Sequence, residues 1–280
     1  MLSYRHGFHA GNFADVFKHA ILSLLAQSFL RKDKPFLYLD THAGAGRYDL
    51  GSSMAKKNRE FAGGISLLWG REEIPQALRP YLAAVGAVNT TPELKAYPGS
   101  PRIVRHFLRA KDRMVLCELH GREAEHLKEE FAGDRQAAVH PIDGYQALKS
   151  FLPPLERRGL ILIDPAFELK DERARLLEAL GEAHRRFPTG TYALWYPIQE
   201  RPAVDWLHRQ LIRSGIRNIL KAELRIFDED APLRLNGTGM VIVNPPWQLD
   251  EQLKSLGPWL WKLLSPEGLG GFRLDWLVPE

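Results

Sequence analysis

The sequence predicts a doubly wound α/β fold: a Rossmann-like, mostly parallel sheet of seven strands with helices on both faces and a helical insert after the first strand. Three observations carry this. Short apolar runs of strand-forming residues alternate along the chain with stretches of helical spacing. Those runs are apolar throughout rather than alternating, as strands covered on both faces are. And several end on an acid followed by glycine or proline, as in Leu37-Tyr38-Leu39-Asp40 before Gly44-Ala45-Gly46, and Leu160-Ile161-Leu162-Ile163 before Asp164-Pro165.

The 280 residues, 45% apolar and 26% charged, suffice for a single domain spanning 1–280 with a sizeable core. A net charge of +4 is compatible with nucleic acid without establishing it. The lone Cys117 rules out an internal disulfide framework. Met1 to His6 contains no secretory apolar region, and no apolar run approaches the ~20 residues that span a bilayer. A cytoplasmic protein with no membrane attachment, and a monomer, is expected.

In order, residues 1–15 read as irregular structure. A helix from about 15 to 30 follows from the apolar spacing of Val16, Phe17, Ala20, Ile21, Leu24 and Leu25, with Asp15 or Asn12 as its cap. The first strand is Phe36 to Leu39; the next is Met114 to Glu118. A bare crossover between parallel strands needs about 10–12 residues, so most of 41–113 is an insertion. Pro98-Gly99-Ser100-Pro101 marks a helix start, with Ser100 as N-cap and Pro101 in the first turn. Residues 101–110 then form the crossover helix and 50–97 a helical insert. Beyond Glu118 come a helix (121–132), a strand (137–140), a helix to Phe151 and the strand 160–163. These are followed by a helix (171–186), a strand (192–195), a helix (204–214), a strand (218–226), a loop (228–239), a strand (240–243), and a tail of helix plus apolar run.

The glycines after the first strand let the backbone turn and approach a nucleoside cofactor. A dinucleotide fingerprint fails, because Asp49 stands where a third glycine belongs. The acids fit another cofactor. Strands one to four end near Asp40, Glu118, Asp143 and Asp164, and the C-terminal strand ends of such a sheet converge on one crevice. Glu118 can accept from two ribose hydroxyls, Asp143 from an exocyclic adenine amine, and Ser100 can meet a methionine carboxylate. Together they describe S-adenosylmethionine.

Asp164-Pro165-Ala166-Phe167 departs by one residue from the Asp/Asn-Pro-Pro-aromatic pattern of amino-methyltransferases. An adenine N6 amine is a poor nucleophile, its lone pair being delocalised into the ring. Asp164 and the Pro165 carbonyl can accept its two hydrogens, and Phe167 can stack on the base, worth ~1–3 kcal/mol. Pro165 confines Asp164 to extended backbone, which sets the carboxylate's aim. Asn244-Pro245-Pro246-Trp247 has the closer letters but follows the seventh strand, away from the crevice, and reads as a structural turn.

The chain resembles the bacterial 23S (large-subunit) ribosomal RNA adenine-N6 methyltransferases of the J type. The likeness lies in Met1 to His6, His9-Ala10-Gly11-Asn12, Ala14-Asp15, Lys18-His19, Lys34 to Tyr48, Tyr97 to Pro101, Arg158 to Pro165, Tyr192 to Pro197, Asn244 to Trp247 and Val278-Pro279-Glu280. It implies a class I S-adenosylmethionine-dependent methyltransferase fold whose N-terminal segment, 1–33, closes over the cofactor. It implies cofactor contacts at His19, His42, Ser100, Glu118, Asp143, Gly144 and Asp164, with Asp164 catalytic. It places Tyr4, His6 and Lys18 against the target adenosine, beside Pro165 and Phe167, in 23S ribosomal RNA. Where the family has Asp-Pro-Pro-Tyr this chain has Ala166 and Phe167; both hydrogen acceptors survive, so activity is expected.

Plainer readings stand beside these. The histidines lack metal-ligand spacing, so no metal is expected. Lys56-Lys57-Asn58-Arg59 is a solvated face unless it meets RNA; Trp69, Trp259 and Trp261 suit packing. Two rival functions remain at this level: methylation of a protein glutamine or small amine through Asn244, and an RNA-binding module weakened in catalysis by Ala166.

Overall fold

The computed structural model describes residues 5–228, 231 and 235–280. The expectation for Tyr4, and part of the loop at 228–239, lie outside the described residues. Helix α1 (Phe13–Leu30) begins two residues earlier than its apolar spacing suggests, because Asn12 is the cap, its Oδ1 accepting from Asp15 N at 2.9 Å. By length and composition α1 would pass for a membrane span, contrary to the sequence reading, yet 83% of it is buried inside the fold. It is a core helix, apolar nearly all round because sheet and helices enclose it.

Strand β1 (Leu37–Asp40) is buried at every residue. The excursion that follows contains β2 (Arg47–Asp49), α2 (Ser53–Asn58), α3 (Arg79–Ala87) and β3 (Ala96–Pro98), and β2 pairs antiparallel with β3, Arg47 opposite Pro98. Helix α4 (Ser100–Arg105) starts with Gly99 as its cap rather than Ser100, and ends earlier than expected. Ser100 does not cap because its hydroxyl is drawn to a buried carboxylate, described below.

The chain continues through β4 (Arg113–Cys117), α5 (Gly121–Glu130), β5 (Ala137–His140), α6 (Gly144–Phe151), β6 (Gly159–Ile163) and α7 (Glu172–Arg186). Then come β7 (Thr191–Ile198), α8 (Arg201–Arg213), β8 (Ile219–Arg225), β9 (Gly237–Val243), α9 (Leu249–Leu264) and β10 (Gly271–Val278). The main sheet has eight strands, not seven, in the order β10-β8-β9-β7-β6-β1-β4-β5. The extra one, β10, is the tail read as an apolar run. It pairs antiparallel with β8 at the sheet edge and is only half covered, so its pattern gives a weak strand signal.

Alternate residues of the strands feed two cores, as the period of two requires. Tyr38, Leu116, Leu160 and Leu162 pack with α1, α4 and α9. Leu39, Val115, Ile161 and Ile163 pack with α6, α7 and α8. The parallel registers then position the site. Asp40 pairs with Leu116 on one side and Leu162 on the other, so Glu118 and Asp164 each fall two residues past that row, at the C-terminal end of the sheet. Strand β9 runs antiparallel to both β7 and β8, with Val243 opposite Tyr192, which delivers Asn244 to the other end.

Candidate active site

A cleft of about 1020 Å³ opens at the C-terminal ends of β1, β4 and β6. His6, Lys18, His19, His42, Ser100 and Glu118 line it, and so do Asp143, Gly144, Asp164, Pro165 and Phe167. Every described residue expected at the site therefore reaches one cavity. Asp40 does not. It is fully buried beneath the cleft, accepting from Tyr38 Oη and Ser100 Oγ, both at 2.7 Å, and from His42 N at 3.3 Å. Burial pushes its carboxyl up to about 6, against the pull of those donors. Of the four strand-end acids, three line the cavity. Ser100 donates its hydroxyl to Asp40 and still lines the cavity at the first residue of α4.

The turn after β1 is built on two glycines with different tasks. Gly44 adopts φ +59°, its N–H donates to Glu118 Oε2 at 2.8 Å, and a Cβ there would stand 2.1 Å from the Tyr48 hydroxyl. Gly46, at φ +79°, does not line the cavity; its carbonyl accepts from Gly99 N, tying the turn to α4. Glu118 also accepts from His120 N at 2.7 Å, and burial pushes its carboxyl up. With one backbone donor on each oxygen, its remaining lone pairs are fixed in direction.

Asp143 caps α6, Oδ1 accepting from Tyr145 N and Gln146 N at 2.9 and 3.1 Å, while Oδ2 faces Arg175 Nη2 at 3.3 Å. Gly144 permits close approach to the loop after β1, since a Cβ would lie 2.3 Å from the Thr41 carbonyl. His42 Nδ1 meets Thr41 Oγ1 at 2.8 Å, and burial lowers the ring to about 4. His19 Nδ1 meets Tyr97 Oη at 2.8 Å, and burial lowers it to about 3, so both histidines are neutral near pH 7.

Asp164, two residues past β6, has its Oδ2 at 2.6 Å from Lys18 Nζ; among the described residues Oδ1 takes no hydrogen bond. Phe167 sits in the left-handed region at φ +54°, its ring edge-on to Trp195 at 5.9 Å and under the Arg173 guanidinium at 5.4 Å. Trp195, Asp15 and Arg175 also line the cavity and went unnoticed in the sequence. Asp15 and Trp195 fall in segments that carry the family resemblance, but the Asn12-x-x-Asp15 spacing names a cap rather than a site, and Trp195 reads as part of a strand.

Asn244 lies outside the cleft. At φ +53° its Nδ2 donates to the carbonyls of Pro188 and Gly190, both at 2.8 Å, which makes it the structural turn expected. Among the described residues no three His, Cys, Asp or Glu side chains are grouped to hold a metal ion.

Comparison with known proteins bears on what fills such a cleft. The family model described as "Ribosomal RNA large subunit methyltransferase D, RlmJ" matches residues 33–278. The "Ribosomal RNA large subunit methyltransferase J" of Escherichia coli K12 is 46% identical over 280 residues, covering the whole of both chains. The protein of that name from Haemophilus influenzae is 43% identical, again over the whole of both. A crystal structure of a Legionella pneumophila protein superposes with a TM-score of 0.86 at 34% identity, over 95% of this chain and 97% of that one.

Proposed function

The chain belongs to the RlmJ family of large-subunit ribosomal RNA methyltransferases, and from that premise we propose that it methylates the N6 amine of an adenine in 23S ribosomal RNA, using S-adenosylmethionine. The observation that carries the reading is Asp164 at the end of β6, inside the cavity that Gly44, Glu118 and Asp143 also line.

The residues fit the cofactor by their chemistry. Glu118, its oxygens already aimed by Gly44 N and His120 N, suits the two ribose hydroxyls. Asp143, fixed by its capping bonds, suits the adenine amine once Arg175 yields Oδ2. Neutral His19 and His42 add no positive charge beside a sulfonium. When bound, S-adenosylmethionine supplies the electrophilic methyl group.

The protein's own part is positioning. Asp164 Oδ1 and the Pro165 carbonyl accept the two N6 hydrogens, which favours a pyramidal nitrogen with an available lone pair. Phe167 and Trp195 offer aromatic faces to a base turned out of its stack. N6 would gain its N–C bond at the expense of the sulfonium's carbon–sulfur bond, whose electron pair stays on sulfur, and Asp164 is placed to take the proton that N6 sheds. Holding the reactants in line is worth several powers of ten in rate. The N-terminal segment and helix, residues 1–33, close over the cofactor, and the 50–97 insert adds surface for RNA. A substrate of this kind places the enzyme in the cytoplasm. The test is incubation with labelled S-adenosylmethionine and unmodified 23S RNA, followed by nucleoside analysis; N6-methyladenosine is expected, and its absence overturns the reading.

A further inference from the structure

Asp15 is 2% exposed in the first turn of α1, and its two oxygens gather three partners from three directions. Oδ2 accepts from Gly11 N at 2.9 Å and meets His6 Nε2 at 2.8 Å. Oδ1 stands 3.0 Å from Lys18 Nζ. Lys18, one turn along and 4% exposed, is the same ammonium that reaches Asp164 Oδ2 at 2.6 Å. One buried cation is thus shared by two carboxylates, one on the first helix and one at the end of β6.

That sharing has a chemical consequence. A buried ammonium held by Asp164 alone would neutralise it and weaken it as a hydrogen-bond acceptor. With Asp15 present, the three groups carry a net charge of −1, and Lys18 is held from both sides, occupying Oδ2 of Asp164 and leaving Oδ1. We propose that Asp15 is a positioning residue for methyl transfer: acting through Lys18, it fixes Asp164 with Oδ1 turned to the acceptor amine and its negative charge retained. The same carboxylate grips His6 and Gly11, so the segment preceding α1 and the acceptor carboxylate are set by one anchor.

This inference rests on the methyltransferase reading, and the experiment separates the two. Turnover on 23S RNA is measured for the wild type, Asp15→Asn, Lys18→Met and the double variant, each below its melting temperature, alongside heteronuclear NMR of the lysine ammonium groups. Asn at 15 keeps an oxygen for Gly11 N, so the helix cap survives. The expected result is kcat about tenfold lower in Asp15→Asn, KM for S-adenosylmethionine within twofold, less than a twofold further loss when Asp15→Asn is added to Lys18→Met, and loss of Lys18 ammonium protection in Asp15→Asn. A wild type without turnover overturns the methyltransferase reading and this inference with it. Wild-type kcat in Asp15→Asn, or an undiminished tenfold loss on the Lys18→Met background, overturns this inference alone. Should Asp15→Asn fail to fold, Asp15→Glu takes its place: it retains the charge and is expected to retain more than half of the wild-type kcat, and a tenfold loss there overturns the inference.

Discussion

Lys18 Nζ lies 2.6 Å from Asp164 Oδ2, joining residues 146 positions apart in sequence. Both side chains are largely buried, at 5% and 12% exposure, so the contact orients the Asp164 carboxylate rather than decorating a surface. Removing the ammonium leaves Asp15 and Asp164 without their shared counter-charge, a loss on the order of 3–5 kcal/mol for a buried pair. Lys18→Met is therefore expected to melt well below the wild type. Assayed below that melting point it is also expected to turn over on the order of 10²-fold more slowly, the usual result of misplacing a reacting group by about 1 Å. Steady-state kinetics beside a thermal melt check both; unchanged kcat would remove Lys18 from the orientation of Asp164.

Phe167 combines a ring in the cavity with a backbone that favours glycine, at φ +54°. A left-handed non-glycine residue costs about 1–3 kcal/mol, and such strain persists where the surroundings enforce it. Phe167→Gly relieves the backbone while deleting the ring. Stability is expected within about 1 kcal/mol of the wild type, because lost packing against Trp195 and relieved strain oppose one another. Loss of base stacking, ~1–3 kcal/mol, is expected to weaken RNA substrate binding roughly 5- to 150-fold. Parallel urea unfolding and KM measurements test the pair; a variant that binds RNA substrate as well as the wild type would leave Phe167 no part in holding the base.

Asn244 bridges two carbonyls from a left-handed backbone far from the cleft. Asn244→Ala strands both acceptors and places at φ > 0 a residue that tolerates it less well than asparagine, an expected loss of about 1–3 kcal/mol. Methyl transfer below the melting point should match the wild type. An Asn244→Ala protein that is stable but inactive would favour the rival reading, methylation of an amide or small amine.

What the sequence shows of this site follows from how local each determinant is. Asp164-Pro165 and the Gly44 turn are legible because strand, acid and turn residue are adjacent in the chain, and local sterics dictate their geometry. The strands from β1 to β9 that build the main sheet were recoverable because apolar runs buried on both faces leave few alternatives. Asp15 and Trp195 were not legible as site residues. Asp15 reads as a cap, and its second role exists only because α1 packs where β6 ends, a relation no local pattern encodes. Asp40 misleads for the opposite reason: it occupies a strand end like the other acids, yet Tyr38, its neighbour two residues back, turns it inward. Strand β10 escaped notice because an edge strand needs only half a pattern.

Two buried histidines make the fold sensitive to acid. Burial holds His19 at about 3 and His208, which meets Tyr196 Oη at 3.0 Å, at about 4, against about 6.5 in the unfolded chain. Between pH 6.5 and those values the unfolded chain binds more protons than the native state, so stability falls as pH falls. At pH 5 each histidine forfeits about 2 kcal/mol, at about 1.4 kcal/mol per pH unit. Asp40 acts in the other direction: raised to about 6, it binds its proton in the native state first, and acidification from pH 7 to 5 returns about 1 kcal/mol. Glu118, also raised by burial, adds in the same sense as Asp40 and opposes His42, whose ring burial likewise lowers to about 4. The balance is a loss of about 3 kcal/mol, or roughly 5–10 °C in melting temperature for a chain of this size. His208→Gln removes one of the two buried groups without touching the cleft, and should shrink the gap between the melting temperatures at pH 7 and pH 5 by about two-thirds. A gap as wide in that variant as in the wild type would assign the acid sensitivity elsewhere.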